Sequence, residues 1–132
     1  MGNTKPTVIG VDSSPSMKKL IERSTENLDI DLMVFGSAEE AWPYLQSNTP
    51  NLVILTIILP DKDGLTLLKE LRQLPAHQNT QAIIVSSKDY TQDRALAKEL
   101  GALEFIPKPM SMQTITDVVV KYTQASLKSD NK

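Results

Sequence analysis

The residues able to do chemistry sit in short polar stretches that interrupt an otherwise aliphatic chain. Thr56 is the one polar residue in Leu52-Val53-Ile54-Leu55-Thr56-Ile57-Ile58-Leu59, and the turn sequence Pro60-Asp61-Lys62-Asp63-Gly64 follows at once. Ligand sites in open parallel sheets lie beyond the carboxyl ends of strands, so a hydroxyl just before such an exit stands where chemistry is expected. The loop Asp12-Ser13-Ser14-Pro15-Ser16 leads into a helix and sets hydroxyls beside helix amides, which together could cradle a phosphate. Asp12 would repel it. Asp61 and Asp63 are two carboxylates in that turn, and Pro-Asp-Lys-Asp-Gly reads first as turn and helix-cap chemistry. His77, the only histidine, falls in a polar loop and reads as a solvated side chain.

Composition narrows what these residues can serve. The 132 residues make one domain with a single core, 1–132, ordered over about 7–126, with flexible tails expected at 1–5 and 127–132. A chain 40% hydrophobic and 23% charged, with a formal charge of −2, has an ordinary globular balance and no basic excess for nucleic acid. With no cysteine, disulfides and thiolate metal sites are excluded, and a reducing, cytoplasmic setting is expected. No apolar run approaches the roughly 20 residues of a membrane span.

The elements that must position the polar stretches alternate in type. Thr7 to Val11, Leu32 to Phe35, the run from Leu52, Ala82 to Val85 and Leu103 to Ile106 read as strands. The third has no polar alternation, as a strand covered on both faces requires, and is the central one. Pro107 marks the fifth as an edge strand, because a central strand could not spare the backbone donor. Between the strands, Met17, Leu20, Ile21 and Leu28 give the first helix its apolar face. Ser37 with Glu40 forms a capping box for a second helix from Ala38 to about Gln46, which Pro43 should kink or weaken. Leu65 to Leu74 reads as a third helix ended by Pro75. Ala95, Leu96, Ala97 and Leu100 mark a fourth, capped by Gly101. Met112, Ile115, Val118, Val119 and Tyr122 mark a fifth, over about 111–126. Strands and helices in this order predict an α/β doubly wound sandwich, a five-stranded parallel sheet with helices on both faces.

The order and spacing from residue 7 to about 125 resemble the receiver domain of bacterial response regulators, the CheY-like branch of the flavodoxin-like fold, with strand order 2-1-3-4-5. Leu59-Pro60-Asp61-Lys62-Asp63-Gly64 is similar to the family's Pro-x-x-Asp-Gly signature. Ile106-Pro107-Lys108-Pro109 resembles its Lys-Pro at the end of strand five. Ser86 falls at its Ser/Thr position and Phe105 at its aromatic switch position. The resemblance implies a cis peptide before Pro109. It also implies a two-component or phosphorelay partner: a histidine kinase, an effector or another regulator. The helix four, strand five, helix five face would serve effectors or a homodimer. Val120 lies off the apolar stripe of the last helix, and with Tyr90, Ala97, Met110 and Lys121 it makes that face the expected partner surface.

The departures from the family pattern decide the expected function. The family accepts phosphate on an aspartate four residues before the signature proline, and Thr56 holds that place here. Where the family sets two neighbouring acids after strand one, this chain has Asp12 and Ser13. A threonine hydroxyl cannot form an acyl phosphate, and no base is evident to activate it. Asp12 alone should hold Mg²⁺ poorly, since Mg²⁺ dehydrates reluctantly and wants one or two carboxylates plus phosphate oxygens. Lys108 is then expected to pair with Asp12, and Phe105 to be a core ring rather than a toggle. The expected function is a non-enzymatic signalling module, a pseudo-receiver acting by phosphorylation-independent contacts, with no cofactor. Two alternatives are a phosphorelay receiver using Asp61 or Asp63, and a flavin or phosphate binder using the Asp12–Ser16 loop. The flavin reading lacks a glycine-rich fingerprint and aromatics to sandwich the ring.

Overall fold

The computed structural model describes residues 5–128. Five parallel strands, β1 (Thr7–Val11), β2 (Asp31–Phe35), β3 (Leu52–Thr56), β4 (Ala82–Ser86) and β5 (Glu104–Pro107), form one sheet in the order β2-β1-β3-β4-β5. The connecting helices are α1 (Pro15–Ser24), α2 (Ala38–Ser47), α3 (Gly64–Arg72), α4 (Thr91–Glu99) and α5 (Met112–Thr123). This is the CheY-like flavodoxin-like arrangement, and β3 is its middle strand with every residue buried.

Successive side chains of a strand point to opposite faces, so the aliphatic runs feed two cores. On one face Ile9, Val11, Val53, Leu55 and Ile84 meet Leu45, Leu67, Leu68 and Leu71 of α2 and α3. On the other, Val8, Leu52, Ile54, Ile83 and Val85 meet Met17, Ile21, Ile115, Val118 and Val119 of α1 and α5. Helix starts follow local chemistry: Ser14, Ser37, Asp63 and Ser111 each accept a backbone N–H of the first turn. Glu40 completes the start of α2 by accepting from the Gly36 N–H at 2.9 Å. Pro43 lies inside α2 without ending it.

Several expectations are corrected. The first helix stops at Ser24, so Leu28 is buried by the loop after it and not by a helical stripe. There the Thr25 hydroxyl donates to the Ile21 carbonyl and the Ser24 hydroxyl to the Leu20 carbonyl, local bonds that satisfy the carbonyls of a helix end. Met112 opens α5 and is exposed. On α4, Leu96 is exposed while Ala97 faces the core. Residues 127 and 128, expected in a tail, are tied to the loop after α1: Leu127 bridges Leu28, and the Lys128 N–H donates to the Asn27 carbonyl at 2.8 Å. Lys5 lies 3.7 Å from Asp31. The remaining tail positions, 1–4 and 129–132, lie outside the described residues.

The largest correction concerns His77, which is 1% exposed. It sits in a 3₁₀ turn, Pro75–His77, with Nε2 at 2.6 Å from the Leu45 carbonyl and Nδ1 at 2.8 Å from the Thr80 hydroxyl. A carbonyl only accepts, so Nε2 carries the proton and Nδ1 accepts from Thr80. His77 thus ties the turn before β4 to the last turn of α2. Beside it, the Arg72 guanidinium donates to the carbonyls of Leu100, His77 and Thr80 at 2.7–2.8 Å and reaches Gly101 at 3.5 Å. Burial lowers the Arg72 pKa from its ordinary value, with no carboxylate paired to it among the described residues. His77→Ala should cost about 2–4 kcal/mol in urea unfolding, because a cavity and two orphaned polar groups are left behind. A loss below 1 kcal/mol would mean that water replaces the ring.

Candidate functional site

The carboxyl ends of β1, β3, β4 and β5 bring Asp12, Thr56, Ser86 and Lys108 to one pole of the sheet. Each arrives there for a local reason. Asp12 follows β1 directly, its N–H donating to the Phe35 carbonyl at 2.9 Å. Its Oδ1 accepts from the Ser14 N–H at 2.8 Å, an Asx turn that hands the chain to α1. Lys108 follows β5, and its N–H donates to the Ser86 carbonyl at 2.7 Å. The peptide joining it to Pro109 is cis.

Lys108 and Asp12 make the central contact. Nζ stands 2.7 Å from Asp12 Oδ2, with side chains 22% and 5% exposed, so the expected pair is present and largely removed from water. Removing one member of a buried pair strands the other charge. Lys108→Ala should therefore lower stability by about 1–3 kcal/mol, read as a lower melting temperature at neutral pH. An unchanged melting temperature would show that Asp12 is adequately held by Ser14 and water.

Thr56 closes β3 opposite Val85 and is 4% exposed. Ser86 is buried, and its hydroxyl accepts from the Lys88 N–H at 3.0 Å. Ser13 is exposed beside Asp12. Among the described residues, no group of three His, Cys, Asp or Glu side chains is placed to hold a metal ion. His77 lies before β4, at the opposite pole from the carboxyl ends of the strands.

The loop from β3 to α3 folds tightly over this pole. The Gly64 N–H donates to the Ile57 carbonyl at 2.8 Å, and Asp63 caps α3 by accepting from the Thr66 N–H at 2.7 Å. Asp61 caps a different helix. Its carboxylate accepts from Ala38 and Glu39 N–H at 3.2 and 2.7 Å, closing the start of α2 from another loop. Desolvation acts to raise its pKa, but hydrogen bonds from Glu39, Ala38, Lys62 and its own backbone outweigh it and hold the carboxyl below 3.8. A carboxyl lowered in the folded state stabilises above its unfolded pKa and loses that contribution as pH falls through the folded value. No pattern in the sequence connects Asp61 to α2. The cap-residue reading of Asp61 and Asp63 fits their bonding, although the helix Asp61 serves is 22 residues away.

On the other expected surface, Tyr90 is 52% exposed, Val120 and Lys121 are exposed, and Met110 is half-buried. Ala97 does not belong there: it is buried against the core under α4, and Leu96 takes its place on the surface. Adjacent apolar residues on α4 gave the sequence no means of choosing between Leu96 and Ala97, and of the two only Ala97 is buried. Phe105 is half-buried against the core, with the Arg94 guanidinium 4.6 Å from its ring centroid and Asp89 bound to the same guanidinium. Next to it, the Tyr122 hydroxyl donates to Glu104 Oε2 at 2.7 Å.

Comparison with known proteins agrees with this geometry. The family described as response regulator receiver domain matches residues 8–120. Response regulator Rre1 of Synechocystis sp. is 29% identical over 110 residues, covering 83% of this chain and 48% of that protein. The transcriptional regulatory protein CssR of Bacillus subtilis is 31% identical over 118 residues, covering 89% of this chain and 51% of that protein. The chain thus spans about half the length of these relatives. The crystal structure of the phosphorylated cyanobacterial phytochrome response regulator RcpA superposes with a TM-score of 0.84 at 20% identity, covering 96% of this chain and 100% of that one. Fold, strand order and the matched span agree, and the chain belongs to the response regulator receiver domain family.

Proposed function

We propose that this domain is an acceptor-less receiver: a non-enzymatic module of a two-component or phosphorelay pathway that acts by docking and not by carrying phosphate. The reading rests on the end of β3, where the position that the family resemblance assigns to the acceptor holds the buried Thr56 hydroxyl, and where the carboxylate on the neighbouring strand end, Asp12, is bound to Lys108 and Ser14. The surrounding charge supports it. Lys108 is already neutralised by Asp12, and both Asp12 oxygens are engaged. One such carboxylate with two hydroxyls is a poor donor set for Mg²⁺, which favours a site with more free carboxylate oxygen. Asp61 and Asp63 are both spent as helix caps, which argues against either as a substitute acceptor.

The partner is a kinase, an effector or another regulator of a cytoplasmic pathway, met through the α4-β5-α5 face. Tyr90, Leu96, Val120 and Lys121 are the exposed groups there, and the same face would serve a homodimer. No described helix is long and apolar enough to cross a membrane. Incubation with acetyl phosphate and Mg²⁺, followed by intact-mass measurement, tests the central claim. The wild-type mass should stay unchanged; a stoichiometric, base-labile phosphoryl adduct would overturn it.

A further inference from the structure

A cleft of about 440 Å³ runs between α2 and α3 from the β3–α3 loop, and its lining does not include Asp12, Thr56, Ser86 or Lys108. Ala38, Trp42, Pro43 and Leu67 form its apolar part, and Trp42 is the only tryptophan of the chain. Glu39, Asp61 and Glu70 stand along it against one cation, Lys62, whose Nζ is held by Glu70 at 2.7 Å. Asp61 is turned to the α2 amides, which leaves Glu39 as the carboxylate with no ion-pair partner among the described residues.

The backbone adds an acceptor to this wall. In an α-helix the carbonyl of residue 39 takes the N–H of residue 43, and Pro43 has none to give. The Glu39 carbonyl thus lacks its helical donor, and both residues line the cleft. Apolar surface with an indole, an undonated carbonyl and an excess of carboxylate is complementary to one side chain above others. Guanidinium stacks on aromatic faces, presents several N–H donors in a plane and carries a permanent positive charge. A second copy of this chain would bring the same acidic cleft into an isologous contact, and like charges would oppose it.

From this complementarity we infer that the α2–α3 cleft docks an arginine-bearing amphipathic segment of a partner protein, with the arginine over Trp42 and the apolar side on Pro43 and Leu67. The inference is independent of the Thr56 reading, because none of Asp12, Thr56, Ser86 and Lys108 lines the cleft.

The test uses the whole chain and a synthetic amphipathic helical peptide of leucine and arginine, with lysine and glutamate versions as controls. Trp42 emission reports occupancy, and anisotropy of labelled peptide reports affinity in every variant. The arginine peptide should bind and shift the emission, and the lysine version should bind about threefold or more weaker, since an ammonium lacks the planar donor array. Glu39→Gln with Glu70→Gln should weaken binding about fivefold, as expected for two rim charges. Glu22→Gln with Glu26→Gln, at exposed carboxylates elsewhere, should leave it unchanged. Equal affinity for the arginine and lysine peptides, equal losses from both double variants, or no emission shift would overturn the proposal. So would a dimer in sedimentation that Glu39→Gln and Glu70→Gln strengthen, which would make a second copy the occupant.

Discussion

Replacing Gly64 with alanine should cost roughly 3 kcal/mol or more and lower the urea midpoint accordingly, the largest stability effect expected of any single methyl added to this chain. A Cβ at this position would lie 2.1 Å from the Thr56 carbonyl oxygen and 2.9 Å from its carbon. Both atoms are backbone of the buried central strand, so neither can swing aside as a flexible side chain would. Alanine at the start of α3 gains at most ~1 kcal/mol of helix propensity over glycine, too little to offset the clash. Relief would require the loop to lift, breaking the Gly64–Ile57 hydrogen bond and pulling Asp61 from the α2 amides. A midpoint within error of wild type would mean that the loop lifts freely and that its bonds to Ile57 and α2 are dispensable.

Thr56→Asp combined with Ser13→Asp should let the domain take a stoichiometric phosphoryl group from acetyl phosphate in the presence of Mg²⁺, a reaction the proposed acceptor-less reading denies to the wild type. The substitutions add two carboxylates next to Asp12, giving the cation an acidic donor set and the reaction a nucleophile. They also crowd like charges onto one edge, where Lys108 is the cation paired with Asp12. Without metal the double variant should therefore be less stable than wild type by about 2 kcal/mol or more, and Mg²⁺ should restore melting temperature. Thr56→Asp alone should show a weaker response to the ion. Absence of any adduct on the double variant would mean that two added carboxylates are not enough to make this pole an acceptor.

The strands were legible in the sequence because their local signals are strong, and their order came with the family resemblance. Uninterrupted aliphatic runs marked strands covered on two faces, and Pro107 marked the edge. The Asp12–Lys108 pair was reached by combining the resemblance with the missing acids, and its 2.7 Å contact agrees. Other features had no local trace. His77 looked solvated because its neighbours in sequence are polar, while its partners, Leu45 and Thr80, are set by where α2 ends in space. Ala97 was misplaced because small residues fit either side of a helix, and only the approach of α4 to the core decides which. Asp61 reaches across loops to cap α2, a long-range bond that no periodicity encodes.

Arg72 gives the molecule mechanical polarity. One side chain spans α3, the 3₁₀ turn, Thr80 ahead of β4 and the close of α4, so the end of the sandwich remote from Thr56 is stapled by a single planar fork. Lysine, with one compact ammonium, could not hold those carbonyls together. Any shift set off by a docked partner should then swing about that fixed end, and deuterium uptake should be slowest around Thr80 and Leu100 and fastest in the loops above Asp12 and Ser86.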